Sequence, residues 1–103
     1  MHPETVYDFQ WDPAKALYNV RKHGVTFDQA ATVFLDGLAL TVYDEANSQN
    51  EDRWFTLGYD ASGRLLAVAH TYDATRPTNV RVRIVSARKA TRRERRAYEN
   101  EPR

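Results

Sequence analysis

Cysteine is absent from the 103 residues, which excludes disulfides and thiolate-held metal sites and suits a reducing compartment. No stretch approaches the ~18–20 consecutive apolar residues of a membrane-spanning helix. The opening MHPETVYDFQ lacks the basic segment and apolar run of a secretion signal. These absences lead us to expect a soluble, cytoplasmic protein with no membrane partner. Several catalytic signatures are missing as well: a glycine-rich phosphate loop, G-x-S-x-G, a cysteine nucleophile and H-E-x-x-H. The three histidines, His2, His23 and His70, show no metal-ligand spacing. No repeat, low-complexity tract or linker interrupts the chain.

The residues that are present, 42% hydrophobic and 12% aromatic, suffice for one modest core. The length leaves no room for a second, so residues 1–103 are expected to form a single domain. A net charge of +1 hides an asymmetry: residues 1–60 carry 4 Lys/Arg and 10 Asp/Glu, residues 61–103 carry 11 and 4. A basic half suits a polyanionic partner, because phosphate binding is mostly electrostatic. Mutual neutralisation of the two halves across the fold would account for it equally well.

Residues 5–11 alternate Val6, Asp8 and Gln10 against Tyr7, Phe9 and Trp11, a short strand with one aromatic face. Asp12-Pro13 then opens a helix, an aspartate cap followed by a proline whose missing N–H costs nothing there. That helix is expected to turn Leu17 and Val20 inward and to end at Arg21-Lys22-His23-Gly24, cations and glycine both suiting a C-terminus. Thr26 and Gln29 form a capping box for a second helix with Phe27, Ala30, Ala31 and Phe34 at helical spacing, closed by Asp36-Gly37. Leu38, Leu40 and Val42 alternate as a strand. The acidic stretch 44–52 reads as an exposed loop. Residues 53–59 and 64–72 flank the turn residues 60–63 as a hairpin. A second loop contains Arg76-Pro77. Residues 80–86 alternate most cleanly, Val80, Val82 and Ile84 against Arg81 and Arg83. A second capping box, Thr91 with Glu94, starts a nearly all-polar helix that is marginal alone. The order β-α-α-β-β-β-β-α, with hairpin-linked strands, predicts an α+β domain with an antiparallel sheet.

Histidine, arginine and lysine are the residues left to carry chemistry. RNA is cut without a metal when its own 2′-OH attacks the adjacent phosphate. The reaction needs a base for that hydroxyl, cations for the phosphorane and an acid for the leaving 5′-oxygen. Histidine serves as base or acid near neutral pH, and arginine grips phosphate oxygens in a fork. Arg81 and Arg83 share one strand face, Arg88 and Lys89 follow at the strand exit, and Arg92, Arg93, Arg95 and Arg96 crowd the last helix, which a solvated face would equally explain. His70, in register with Leu66 and Val68, reads by alternation as a satisfied core histidine. Capping alone would explain Lys22 and His23. Trp54 has the surface to stack a base, although core aromatics are commoner. Asp44, Glu45, Glu51 and Asp52 are of the type that holds Mg²⁺, but such loops are more often simply solvated, and no metal or cofactor is expected.

Three segments resemble the BrnT family of ribonuclease toxins. WDPAKALYNVRKHGVTFDQAATVF carries Trp11, Asp12, Pro13, Asn19, Lys22, His23, Gly24 and Phe27. EDRWFTLGYDASGRLLAVAHTYD carries Glu51, Arg53, Gly58, Gly63, Val68 and His70. VRIVSARKATRRERRAYE carries Arg83, Ser86, Arg88, Lys89, Glu94 and Tyr98. The resemblance covers about residues 8–99. It implies a compact RelE-like fold, growth arrest through RNA cleavage, for which the residue types suggest the metal-independent route, and a DNA-binding antitoxin of the BrnA type that forms a hetero-oligomer with the toxin. It directs the catalytic assignment to Lys22, His23, Arg53, His70 and Arg83; the residue types leave Trp54, Arg81, Arg88 and Lys89 as expected RNA contacts. On this expectation Arg53 and Arg83 grip the phosphate, His23 or His70 moves protons and Lys22 stabilises developing charge. The alternative is a module that binds nucleic acid without cutting it, or that only docks a protein partner.

Overall fold

The computed structural model describes residues 5–76 and 78–102; His2 and Pro77 lie outside them. Its elements are β1 (Val6–Gln10), α1 (Pro13–His23), α2 (Phe27–Thr32), β2 (Leu40–Tyr43), β3 (Trp54–Tyr59), β4 (Leu65–His70), β5 (Asp73–Arg76), β6 (Asn79–Lys89) and α3 (Arg92–Asn100). One-turn 3₁₀ helices follow α2 at Val33–Leu35 and interrupt the acidic stretch at Glu45–Asn47.

The helix boundaries follow from local chemistry. The Asp12 carboxylate accepts from the Ala14 N–H at 2.8 Å with Pro13 at the first helical position. Gly24, at φ 68°, ends α1 in the left-handed region that favours glycine. Reciprocal capping boxes begin α2 (Thr26 with Gln29) and α3 (Thr91 with Glu94). The inward face of α1 differs from the expectation. Leu17 and Val20 are 56% and 43% exposed, and Tyr18 is 63% exposed. The helix turns Ala16 and Asn19 to the body instead.

The sheet runs β1-β6-β4-β3-β2, with β5 also paired to β6. It is mixed, not antiparallel. The β1 strand lies parallel to β6, Val6 opposite Asn79 through Gln10 opposite Arg83. Alternation fixes which side chains share a face but carries no information on strand direction. The region read as a second loop holds β5, which pairs with the start of β6 after β4 has left it. Arg53 precedes β3 rather than opening it. A register shift at Ala69/His70, opposite Ser86 and Ile84, leaves Val85 as an extra residue in β6, so the inward series Val80, Val82, Ile84 resumes at Ala87. Alternation judged from 80–86 therefore stopped short of Lys89.

Two cores result. Under α1, α2 and the turn after them, Val25, Phe27, Ala30, Val33 and Phe34 pack on Leu66, Val68, Val80, Val82, Ile84 and Ala87. Each fully buried branched side chain there contributes about 1.5–3 kcal/mol. The opposite face holds a smaller cluster of Leu57, Leu65 and Ala67 under Tyr98 of α3. The polar helix α3 is docked by specific anchors: the Tyr98 hydroxyl donates to Asp36 Oδ2 at 2.7 Å, and Arg88 forks onto Glu94 at 2.7 and 3.0 Å.

Candidate functional site

Because α3 covers only the half of its face nearest Leu65 and Tyr59, the other half stays open. There Gln10, Arg83 and Thr71 lie side by side: Gln10 pairs with Arg83, and the Thr71 N–H donates to the Arg83 carbonyl at 3.0 Å. The β3–β4 register puts Trp54 opposite His70. Arg53 immediately precedes that pair, just before the strand begins. Arg53 and Arg83 therefore stand at the same end of the sheet, on either side of β4. Arg81 lies two residues from Arg83 on the same face, within 3.7 Å of Asp8. Gln10, Glu51, Thr71, Tyr72, Arg81 and Arg83, with Asp52 and Asp73, line an open groove of 420 Å³. The Arg83 guanidinium donates to the Glu51 carboxylate, and both are half exposed.

Glu51 is the residue that reading the sequence left in the solvated loop; its place among the family-like positions beside Arg53 was the available signal. The other acids of that stretch have separate tasks. Asp52 accepts from the Tyr43 hydroxyl, and Asp44 accepts from Asn47. Among the described residues no group of three or more His, Cys, Asp or Glu could hold a metal ion.

His70 sits at the same end but on the other face, fully buried. Its Nδ1 lies 3.0 Å from the Thr71 carbonyl and its Nε2 2.7 Å from Thr56 Oγ1. Phe34 and Tyr72 meet the ring edge-on at 5.0 and 5.5 Å. Burial lowers its pKa below the ordinary 6.5, against the pull of the Thr71 carbonyl. The ring braces Thr71, the residue bonded to Arg83, and presents no atom to the open face. Trp54, opposite His70, is half-buried and meets Tyr43 edge-on at 4.9 Å.

Lys22 and His23 are not brought to this groove. Arg64, just before β4, donates to the Gly24 carbonyl at 3.5 Å, and Leu66 pairs with Lys89. The end of α1 therefore sits by the last residue of β6. Five residues of strand, about 17 Å, separate that end from Ile84. Lys22 lies 5.7 Å over the Tyr18 ring, and Lys89 is exposed nearby. Arg88 is committed to Glu94, an ion pair that raises the Arg88 pKa and lowers that of Glu94. It also sits 6.0 Å over the Phe55 ring.

Asn19, inside the family-like first segment, turns out to be a structural bolt. Its Nδ2 donates to the carbonyls of Val25 and Ala87 at 2.9 and 2.8 Å, while its Oδ1 accepts from the Ala87 N–H at 3.0 Å. Since β1 pairs with β6 only through Arg83, the amide takes the place of a missing strand neighbour.

The fold is an α+β architecture shared with a solved bacterial toxin. The crystal structure of the Brucella abortus ribonuclease toxin BrnT matches 85% of this chain and 100% of its own, with a TM-score of 0.59 and 20% identity; at that identity the likeness concerns the fold alone. No curated protein matches the sequence. Residues 11–94 match the family described as ribonuclease toxin, BrnT, of type II toxin-antitoxin system. The chain belongs to that family of ribonuclease toxins.

Proposed function

We propose that this toxin cleaves RNA internally, without a metal, in the groove between Arg53 and Arg83. One observation carries the reading: Arg83 and Arg81 line an open groove and Arg83 already holds a carboxylate, Glu51. A phosphate would take the same fork. In this mechanism Arg53 and Arg83 hold the non-bridging oxygens and offset the charge of the phosphorane. Glu51, displaced from Arg83 by the phosphate, accepts the 2′-OH proton as the 2′-oxygen bonds to phosphorus. The P–O5′ bond breaks, and the 5′-oxygen takes a proton from water or a second acid. The products are a 2′,3′-cyclic phosphate and a 5′-OH. His70 acts as a positioning residue through Thr71 rather than as the proton carrier. The proton-carrying role considered for His23, and the charge role of Lys22, lose support from their distance to Arg83. Trp54, Arg81 and Lys89 remain RNA contacts in this reading, whereas Arg88 is reserved for α3.

As a type II toxin the protein is expected to meet an antitoxin. We propose a DNA-binding partner of the BrnA type, forming a hetero-oligomer with the toxin in the cytoplasm. No described helix is long and apolar enough to cross a membrane.

The test is cleavage of RNA by purified protein with and without EDTA, alongside growth arrest by alanine variants at Arg53, Arg83, His23 and His70 and by Glu51→Gln. Cleavage that survives EDTA and vanishes in the Arg53, Arg83 and Glu51 variants is the expected result. Cleavage lost with EDTA sinks the metal-free route. Full toxicity of folded Arg53 and Arg83 variants sinks the site. Salt-sensitive binding with the RNA recovered intact would make the protein a binding module.

A further inference from the structure

We propose that the end of β6 and the outward side of α3 form a second contact for the RNA strand. It is a phosphate-backbone site built from Lys89, Arg92, Arg93 and Arg96, away from the reacting groove. This deepens the ribonuclease reading and rests on it for the identity of the ligand. The four residues fall within eight positions of the chain, so connectivity alone keeps them in one patch. All four are exposed, and among the described residues none of them joins an ion pair. The other cations close to them in sequence or space are already engaged. Arg88 forks onto Glu94, Arg64 pairs with Asp60, and Arg95 donates to the Tyr59 hydroxyl at 3.2 Å.

The arrangement works against the helix that carries it. Arg96 follows Arg92 by four residues and Arg93 by three, which makes their guanidinium groups neighbours on one side of α3. Like charges at those spacings destabilise a helix. Arg92 and Arg93 also stand in the first turn, where the helix dipole favours acids over cations. Docking of α3 does not use them: it rests on buried Tyr98 and on Glu94, held by Arg88. Local rules broken without a structural return are expected at functional sites. The class of ligand follows from what the patch lacks. None of the large apolar side chains that are exposed lies within residues 89–100, whereas the core of a protein interface is rich in apolar and aromatic residues. Cations without such a centre suit a chain of phosphates, whose binding is mainly electrostatic, and arginine forks match phosphate oxygens. Lys89 is about 17 Å from Arg83 along β6. The patch therefore takes flanking nucleotides, and it sets the affinity for longer strands rather than the rate of the chemical step.

The experiment measures, on the full chain, how salt affects binding of a single-stranded 2′-O-methyl RNA, which 2′-OH attack cannot cut. A length of roughly fifteen nucleotides is near the upper site size of single-strand binders. Arg92→Gln, Arg93→Gln and Arg96→Gln combined should reduce the slope of log affinity against log salt by about 2 and weaken binding at low salt about tenfold. The thermal midpoint should hold or rise, because repulsive neighbours are gone. Lys15→Gln, at the start of α1, controls for net charge and should leave the slope unchanged. On a cleavable RNA of the same length the triple variant should raise KM about tenfold and leave kcat within about twofold. An unchanged slope overturns the patch and leaves its arginines to an acidic protein or to solvent. An equal change per charge from Lys15→Gln also overturns it. So does affinity lost for duplex DNA but kept for the RNA. The expected change of slope in a protein that cuts no RNA overturns the ribonuclease reading and keeps the patch; cleavage with slope and KM unchanged overturns only the patch.

Discussion

The two faces of the central sheet solve opposite problems with the same strands. On the helix-bearing face β6 presents Val80, Val82 and Ile84 to a dry core, and even its one histidine neighbour, His70, is sealed and has both nitrogens bonded. On the other face the intervening Arg81 and Arg83 are exposed, because α3 closes over only one half. Taking guanidinium groups out of water costs several kcal/mol each even when they are paired, so the half that carries them stays open, and an open groove with cations is what phosphate requires. The dry face supplies rigidity through Thr71, and the wet face supplies charge.

The sharpest way to break this division is Arg83→Ala. Cleavage should fall by about a hundredfold or more with the thermal midpoint nearly unchanged; an unaltered rate would remove the wet face from catalysis. Asn19→Leu attacks the dry face instead. Three buried hydrogen bonds are lost and the Ala87 backbone is stranded, for an expected loss of about 3 kcal/mol, read as a lower urea midpoint; a change under about 1 kcal/mol would deny Asn19 its role. Gly58→Ala tests close approach in the same layer, since an added Cβ would meet Val33 Cγ1 at 2.8 Å. We expect a loss of about 2 kcal/mol, and Val33→Ala in the same chain should recover part of it.

A smaller effect concerns pH. The folded-state pKa of His70 is lowered by burial, so the unfolded chain takes up the proton first. The contribution is whole above pH 6.5 and is lost as the pH falls from there towards the lower folded value. The urea midpoint should therefore drop between pH 7 and 5.5, and His70→Gln should flatten that part of the profile; a midpoint that rises on acidification would contradict a neutral buried ring. The smallest effect is expected from Lys22→Ala and His23→Ala, under threefold on cleavage. A hundredfold loss at either would mean that the far end of β6 reaches the reacting phosphate.

Local signals carried well into the structure. The Asp12-Pro13 start, the Gly24 stop and both capping boxes depend on residues within four positions of one another, so the chain settles them with its own hydrogen bonds. The alternation of Val80, Val82 and Ile84 against Arg81 and Arg83 is equally local. What alternation could not convey was the direction of β1, the extra residue at Val85, or the strand within 73–76, since each depends on a partner far along the chain. Leu17 and Val20 misled for a related reason: α1 meets the sheet through Asn19, a polar residue that helical apolar spacing does not count.

The candidate site divides in the same way. The sequence by itself determined the membership of the family, the residue types available for phosphate and the shared face of Arg81 and Arg83, because motif spacing and strand pleat are properties of neighbouring residues. Only the tertiary structure decided that Glu51 rests on Arg83, that His70 faces the core and that Lys22 and His23 lie at the other end of β6. Those relations are set by strand order, register and one bulge, and long-range pairing of that kind leaves no periodic trace in the sequence.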